Sequence, residues 1–193
     1  MAIQDVRAQL FDAAERVLLR DGAEALTSRA VTTEAGCAKG VLHRHFADFD
    51  TFLAELVLDR VGRIAERAAA LRSAAGSGSV VAHLTDALMG LFSPVAVSMV
   101  GLITFRDALR ARLRAAGQPG IPVLTQAAAM ITDYLGRERE LGRIAADADV
   151  DTLALTLIGT GHLLFAGRDE GPPGTADVCK VVTSVVTGVL TES

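Results

Sequence analysis

Residues 27–46 hold the side chains of this chain whose types and spacing are best suited to binding a polyanion. Arg29, Lys39 and Arg44 lie in this segment, and Glu34 is its only acidic residue. An arginine can donate two hydrogen bonds to O6 and N7 of a guanine, whereas a lysine mainly pairs with phosphates. We therefore regard these three cations as the principal candidates for binding DNA.

The overall charge of the chain gives these cations no support. The net charge of the 193 residues is −4, and residues 1–60 carry seven Lys and Arg against ten Asp and Glu. A DNA-binding protein of this composition has to concentrate its cations on one face. We expect such a protein to bind DNA sparingly away from its specific site and to lose affinity steeply with salt.

The elements that position these cations are predicted to be two short helices around a tight turn. Thr27 and Ser28 are hydroxyl residues that can cap the first helix, and Gly36 can take the positive φ that ends it. In the second helix Leu42 and Phe46 lie on one face, four residues apart. Such a pair of helices fits DNA, because the second is narrow enough for the major groove while the first crosses the backbone.

The whole string is similar to the N-terminal signature of the TetR family of transcriptional regulators. The residues that carry the resemblance are Thr27-Ser28, Val31, Ala35-Gly36, Ala38, Lys39-Gly40, Val41-Leu42, His43, Arg44-His45-Phe46 and Asp50. They cover roughly the first third of the chain. The resemblance implies an all-α fold, in which a three-helix helix-turn-helix domain precedes a C-terminal helical domain for ligand binding and dimerisation.

The resemblance also implies roles for individual residues of this segment. Arg29, Val41, His43 and Arg44 are expected to face the bases. Thr27, Thr33, Lys39 and His45 are expected to contact the DNA backbone. For His45 a packing role remains an alternative, because it lies on the inward side of its helix.

Three positions depart from the family pattern. His43 stands where a tyrosine is usual, and Ala38 stands where a serine usually caps the second helix, a cap worth about 1 kcal/mol. Phe49 stands where a lysine commonly touches a phosphate. The chain is therefore expected to make one fewer backbone contact per subunit at position 49.

The rest of the sequence predicts further helices and no strand of convincing length. Helical periodicity predicts a first helix over about 3–21 and a long one over about 50–74, and later helices at about 80–92, 95–115, 123–139, 150–166 and 176–190. The predicted domains are 1–48, with the helix-turn-helix motif at about 28–47, and 49–193.

The last two helices are predicted to form a homodimer interface. Their apolar stripe is wide enough for two neighbours, and left uncovered it would expose a large patch. Pairing with a second copy would also give the two-fold symmetry that a palindromic operator requires. The residues predicted to form the interface are Leu157, Gly161, Leu164, Val178, Val182, Val185 and Val189. The alternative is that this stripe is only intramolecular core.

The middle helices are predicted to enclose a site for a small-molecule inducer. Their few polar groups lie among apolar ones, which is typical of a pocket for a small hydrophobic ligand. The candidates are Met89, Met99, Phe105, Met130, Tyr134 and His162. Each of them could instead be an ordinary core residue.

Several other classes of protein are not supported by the sequence. It has no nucleophile elbow, no phosphate loop and no Cys or His pair at zinc spacing, so we expect no enzyme, metal or cofactor. Cys37 and Cys179 form no disulfide framework, and no apolar run is long enough to cross a membrane. A cytoplasmic location without membrane contact is expected.

These patterns together predict a one-component transcriptional regulator. We expect a repressor that binds double-stranded operator DNA as a homodimer and is released by an unidentified small molecule. The alternative is a helical dimeric module that binds a ligand or a protein and whose DNA binding is weakened.

Overall fold

The computed structural model describes residues 3–166 and 171–191, and over these residues the chain is almost entirely helical. The predicted all-α class is confirmed. The outer ends of the two predicted domains, at residues 1–2 and 192–193, lie outside the described residues. The helices in chain order are α1 Ile3–Ala25, α2 Ser28–Glu34, α3 Gly40–His45, α4 Phe49–Ala74, α5 Val80–Leu91, α6 Pro94–Phe105, α7 Asp107–Ala115, α8 Pro122–Glu140, α9 Val150–Ala166 and α10 Thr175–Val186.

The helices form two compact units. The first unit consists of Met1–Arg60 and Pro94–Pro122, and the second consists of Val61–Ser93 and Val123–Ser193. The N-terminal helices therefore share a unit with α6 and α7, which come much later in the sequence, and α4 contributes to both units. The predicted domains 1–48 and 49–193 follow the sequence motif and stay a prediction.

In the first unit, α1 packs on α2 and on α6. The helix α1 leaves helical geometry at Gly22, where φ is +81°, so the stop predicted there is visible as a kink. Phe11 of α1, Phe46 and Phe52 form an aromatic cluster with ring centroids 5.0–5.8 Å apart. All three rings are buried, and they hold α1, the end of α3 and the start of α4 together.

The helix predicted over residues 95–115 is interrupted, and this part of the prediction is wrong. Arg106 has φ −115° and ψ 99°, which separates α6 from α7. The Arg110 side chain forms an ion pair with Asp107 and donates hydrogen bonds to the carbonyls of Ile103 and Thr104. These bonds satisfy carbonyls at the end of α6 that a continuous helix would have used.

In the second unit, α10 packs on α5 and α9. Val178, Val182 and Val186 recur at spacings of four and are fully buried, so they form the face of α10 that contacts these helices. After α10 the chain makes a short 3₁₀ turn, Thr187–Val189, where the sequence predicted a continuing helix. In the part of the chain that the structure describes, the one β-type pairing is an isolated bridge between Ile144 and Leu190.

A buried polar network ties the loop after α4 to α8. Glu138 is fully buried, and its carboxylate accepts hydrogen bonds from the Tyr134 hydroxyl at 2.6 Å and from the Gly76 amide at 3.2 Å. Arg143 lies 3.3 Å from the same carboxylate and donates to the carbonyls of Ser77 and Gly78. The network neutralises the buried charge and fixes the conformation of residues 75–79.

Over the described residues, no single helix is long and apolar enough to cross a membrane; only α5 and α6 taken as a pair meet that test, by length and composition alone.

Candidate nucleic-acid interface

Local capping sets the ends of α2. The side chain of Thr27 accepts a hydrogen bond from the Ala30 amide at 3.2 Å, as expected for an N-cap, and Gly36 has φ +65°. Val31 and Thr32 face the core of the unit. Because these contacts involve neighbours in sequence, the hydroxyl and glycine signals were enough to predict them.

The following helix, α3, is held by side chains from α1. Leu42 and Phe46 are buried as predicted. Arg7 donates to the His45 carbonyl at 3.2 Å, its guanidinium lies 4.4 Å from the Phe46 ring centroid, and it pairs with Glu55. The N-terminus of α3 has no side-chain cap, which agrees with the loss of the usual serine at Ala38. Tertiary contacts at its C-terminal end therefore hold this short helix in place.

The residues predicted to bind DNA lie on the surface of the first unit. Six of them are exposed, namely Thr27, Arg29, Thr33, Lys39, His43 and Arg44. Val41 and His45 are half-buried, and the described polar contact of His45 is made by its carbonyl. The structure thus leaves the predicted side chains accessible to DNA. Their individual contacts with bases or phosphates stay a prediction.

The charges of the helix-turn-helix segment are segregated. Arg16 and Arg20 of α1 both pair with Glu34, the acidic residue of the segment, at N–O distances of 2.7 and 2.8 Å. These two arginines hold the pKa of the Glu34 carboxyl below its usual range. Within the described ranges Arg29, Lys39 and Arg44 form no ion pair. The charge of Glu34 is therefore neutralised by two arginines of α1. The three candidate cations remain available to pair with a ligand.

Two arginines around α7 contact residues that flank this segment, and no motif in the sequence pointed to them. Arg112 pairs with Asp48 and donates to the Thr51 hydroxyl at 2.8 Å. Asp48 in turn accepts a hydrogen bond from the Thr51 amide at 2.7 Å. This bond is the largest of the contacts that lower the pKa of Asp48. Arg106 donates to the Leu26 carbonyl at 2.9 Å. No sequence signal could have located these contacts, because their partners are distant along the chain.

The predicted ligand residues are divided between the two units. Phe105 is 85% exposed at the end of α6, and its place in a ligand site stays a prediction. Met99 is fully buried in the first unit, whereas Met89, Met130, Tyr134 and His162 belong to the second. The helix break at Arg106 leaves Phe105 on the last turn of α6, where its side chain is mostly exposed.

One of these residues, Met130, lines a cavity of about 350 Å³ in the second unit. The other lining residues come from α4 and α5 and include three polar side chains: Arg67, Ala70, Leu71, His83, Asp86, Ala87 and Gly90. Tyr134 lies directly behind the wall, where its hydroxyl is 3.0 Å from Nδ1 of His83. His162 packs beside Phe92 with ring centroids 6.1 Å apart and is not part of this lining.

The predicted dimer residues divide into two groups. Leu157, Gly161, Val178 and Val182 are buried within one chain, which favours the intramolecular alternative for them, and their part in an interface stays a prediction. Leu164, Val185 and Val189 are half-buried. The exposed apolar residues of α9 are instead Leu155, at 65% exposure, and Leu163, at 71%. Periodicity predicted an apolar stripe but could not show which neighbour would cover it.

Over the described residues, no cluster of His, Cys, Asp or Glu side chains has the composition and spacing of a metal site. The first unit contains two short helices around a tight turn, α2 and α3, and the side chains of Arg29, Lys39 and Arg44 are exposed there. Residues 10–56 match the family model of bacterial regulatory proteins of the tetR family.

Solved structures resemble the fold of this chain over nearly its whole length. A TetR-family transcriptional regulator from Rhodococcus sp. is 20% identical, with a TM-score of 0.69 and coverage of 97% of this chain and 100% of the other. The regulator FadR from Bacillus subtilis, solved with stearoyl-CoA, is 18% identical, with a TM-score of 0.73 and coverage of 94% and 98%. A regulator from Saccharomonospora viridis, solved with choline, is 17% identical, with a TM-score of 0.66 and coverage of 98% and 100%.

No curated protein matches the chain. The resemblance found in the sequence is nevertheless confirmed: this chain has the N-terminal module and the fold of the TetR family of transcriptional regulators. That family consists of DNA-binding proteins.

Proposed function

We propose that this chain is a one-component repressor that binds a palindromic operator as a homodimer and releases it when a small molecule binds in the second unit. The observation that carries the proposal is the charge segregation of the first unit. Arg29, Lys39 and Arg44 are exposed without an ion pair among the described residues, although the chain is acidic overall. Unpaired cations on one face are what binding to phosphates and guanines requires.

The homodimer is supported by the free face of α9. Leu155, Gly159 and Leu163 are four residues apart and exposed, so they form one stripe along the helix. The exposed face of α10 carries small residues such as Thr183 and Ser184, which permit a close approach. We propose that α9 and α10 pair with their copies through these faces. Two-fold pairing would supply the two groove helices that a palindrome needs.

The ligand site is proposed to be the cavity beside Met130. Its volume of about 350 Å³ lies near the lower end of the range of about 300–1,000 Å³ that small-molecule sites occupy. The apolar wall of Ala70, Leu71, Ala87 and Met130, with the polar groups of Arg67, His83 and Asp86, fits a small amphipathic molecule. The regulators solved with stearoyl-CoA and with choline support ligand binding by this fold and leave the ligand of this chain open.

The decisive experiment is selection of genomic DNA fragments by the purified protein, followed by a salt series on the fragment recovered. A palindromic sequence bound with a steep decline of log K against log salt would support the proposal. A reporter placed behind that fragment should be less active when the protein is present. Failure to enrich any sequence would refute operator binding.

Binding to DNA takes place in the cytoplasm of a bacterial cell, which is the location we propose.

The cavity assignment has its own test. A library of small amphipathic molecules is first screened for members that raise the melting temperature of the wild type. Ala87→Trp should fill the cavity, so these molecules should no longer stabilise the variant. The same variant should still bind the operator, because Ala87 lies outside the first unit. An unchanged response of Ala87→Trp to these molecules would exclude the cavity as their site.

The second candidate is a helical module that binds a ligand or a protein and has weakened DNA binding. It is favoured by the missing side-chain cap of α3 and by the replacement of a cation by Phe49. The salt series separates the two functions. A decaying module would show weak binding without preference for any fragment.

A further inference from the structure

The side chain of Arg106 contacts residues that flank the helix-turn-helix motif on both sides. Its Nη2 donates to the Leu26 carbonyl at 2.9 Å, and Leu26 directly precedes Thr27, the N-cap of α2. Its Cζ is 5.7 Å from the centroid of the Phe49 ring, at the first residue of α4. Arg106 therefore reaches from the α6–α7 junction to the starts of both α2 and α4.

The charge of Arg106 is not neutralised within the described part of the chain. Its neighbours on α7 are, because Arg110 pairs with Asp107 and Arg112 pairs with Asp48. The described contacts of Arg106 are one carbonyl and one aromatic ring, and neither carries a formal charge. A guanidinium has more N–H donors than a single carbonyl accepts. The half-buried guanidinium of Arg106 thus has N–H donors that no described contact uses, beside the starts of α2 and α4.

The residue under Arg106 is one of the three that depart from the family pattern. The resemblance implies a lysine that contacts a phosphate at this position, where the chain has Phe49. The ring of Phe49 also stacks on Phe52, with centroids 5.6 Å apart. An aromatic face attracts a guanidinium placed over it. Phe49 carries no charge, but its ring supports the guanidinium of Arg106, which comes from the α6–α7 junction.

We propose that Arg106 is a DNA-binding residue whose guanidinium, supported by the Phe49 ring, pairs with a backbone phosphate of the operator. The inference rests on the proposed operator binding. Arg106 would supply the phosphate contact that the Phe49 side chain cannot make. The DNA contact surface would then extend beyond the helix-turn-helix motif and include the residue that precedes α7.

The test is the salt dependence of binding to the operator fragment recovered from the genomic selection. Removing one phosphate pairing lowers the slope of log K against log salt by about 0.9, so Arg106→Gln should reduce the slope of a dimer by about 1.8. Arg114→Gln is the matched control, because it removes the same charge from the exposed end of α7 and has no described contact with the helix-turn-helix segment. Its slope should equal that of the wild type.

A compensating variant sharpens the test. Phe49→Lys combined with Arg106→Gln returns a cation to position 49, and the slope should recover towards the wild-type value. If Arg106→Gln weakens binding but leaves the slope unchanged, the residue only positions the segment and the proposal is overturned. If the wild type binds no fragment at all, the proposed function fails as well. The two failures are therefore distinguishable.

A measurement on the wild-type protein tests the same proposal without requiring that a substituted protein folds. Arginines of the free protein and of the operator complex are modified with phenylglyoxal, and the modified positions are read by mass spectrometry. Operator DNA should protect Arg106 and leave Arg114 reactive. Equal modification of Arg106 with and without DNA would overturn the proposal.

Discussion

The hydroxyl of Tyr134 donates a hydrogen bond of 2.6 Å to Oε1 of Glu138, one helical turn further along α8. The same hydroxyl is 3.0 Å from Nδ1 of His83, which lines the cavity of the second unit. A buried carboxylate, its phenol donor and the imidazole at the cavity wall are thus joined in one chain of hydrogen bonds. Any ligand that moves His83 would therefore act on the network that fixes residues 75–79.

Removing the phenol should destabilise the second unit. Tyr134→Phe keeps the ring but leaves the buried Glu138 carboxylate without one of its donors, which costs about 1–3 kcal/mol of unfolding free energy. Urea denaturation at neutral pH measures the difference. Wild-type stability in the variant would show that Arg143 and the Gly76 amide satisfy Glu138 by themselves.

The same hydroxyl predicts a dependence of stability on pH. Burial, and then the hydrogen bond to Glu138, raise the pKa of Tyr134 above that of a free phenol. Above about pH 10 the unfolded chain loses the phenol proton while the folded chain keeps it. This part of the stability is therefore complete below about pH 10 and declines as the pH rises further.

The chain contains a single tyrosine, so this titration can be observed directly. Phenolate absorbance should appear above about pH 10 only as the protein unfolds, and the additional alkaline loss of stability should be absent from Tyr134→Phe. Phenolate formation near the pKa of a free phenol in the folded protein would contradict the buried hydrogen bond.

Arg44 should be required for specific binding, whereas a paired arginine nearby should not. A bidentate contact with guanine discriminates by about 1–3 kcal/mol, so Arg44→Ala should weaken operator binding at least about fivefold for each half-site. Arg20→Ala is the control, because its guanidinium already pairs with Asp21 and Glu34. Fluorescence anisotropy of a labelled operator gives both affinities. Equal affinities of the two variants would remove Arg44 from the site.

The aromatic cluster should govern the stability of the first unit. Phe46 is 3% exposed, and Phe46→Ala should lower the unfolding free energy by about 3–5 kcal/mol. Phe105 offers the opposite case at 85% exposure, and Phe105→Ala should change stability by less than about 0.5 kcal/mol. Thermal unfolding of both variants tests the difference in burial. Similar losses would mean that Phe105 is covered in solution.

A charge on the free face of α9 should prevent dimerisation. Leu163→Lys places an ammonium group in the middle of the proposed interface, where pairing would bury it without a partner. Leu141→Lys is the control, because Leu141 is 43% exposed and lies outside α9 and α10. Sedimentation velocity should show a monomer for the first variant and a dimer for the second. A dimer that survives Leu163→Lys would place the interface elsewhere.

Local chemistry determined the parts that the sequence predicted correctly. The Thr27 cap, the positive φ of Gly36 and the inward positions of Leu42 and Phe46 depend on neighbours within a few residues, so their signals are complete in a short stretch of sequence. The family resemblance resides in the same stretch. The all-α class followed from periodicity, which is also a short-range property.

The tertiary structure alone decided which surfaces meet. Arg106 and Leu26 are 80 residues apart, and the break that brings the arginine to the first unit lies within a helix that periodicity predicted as continuous. The valines of α10 read as one apolar stripe, yet only the folded chain showed that Val178 and Val182 are covered by its own helices. The sequence pattern of a helix predicts that an apolar face will be buried or a charged face paired. Which surface covers that face depends on the packing of the whole chain.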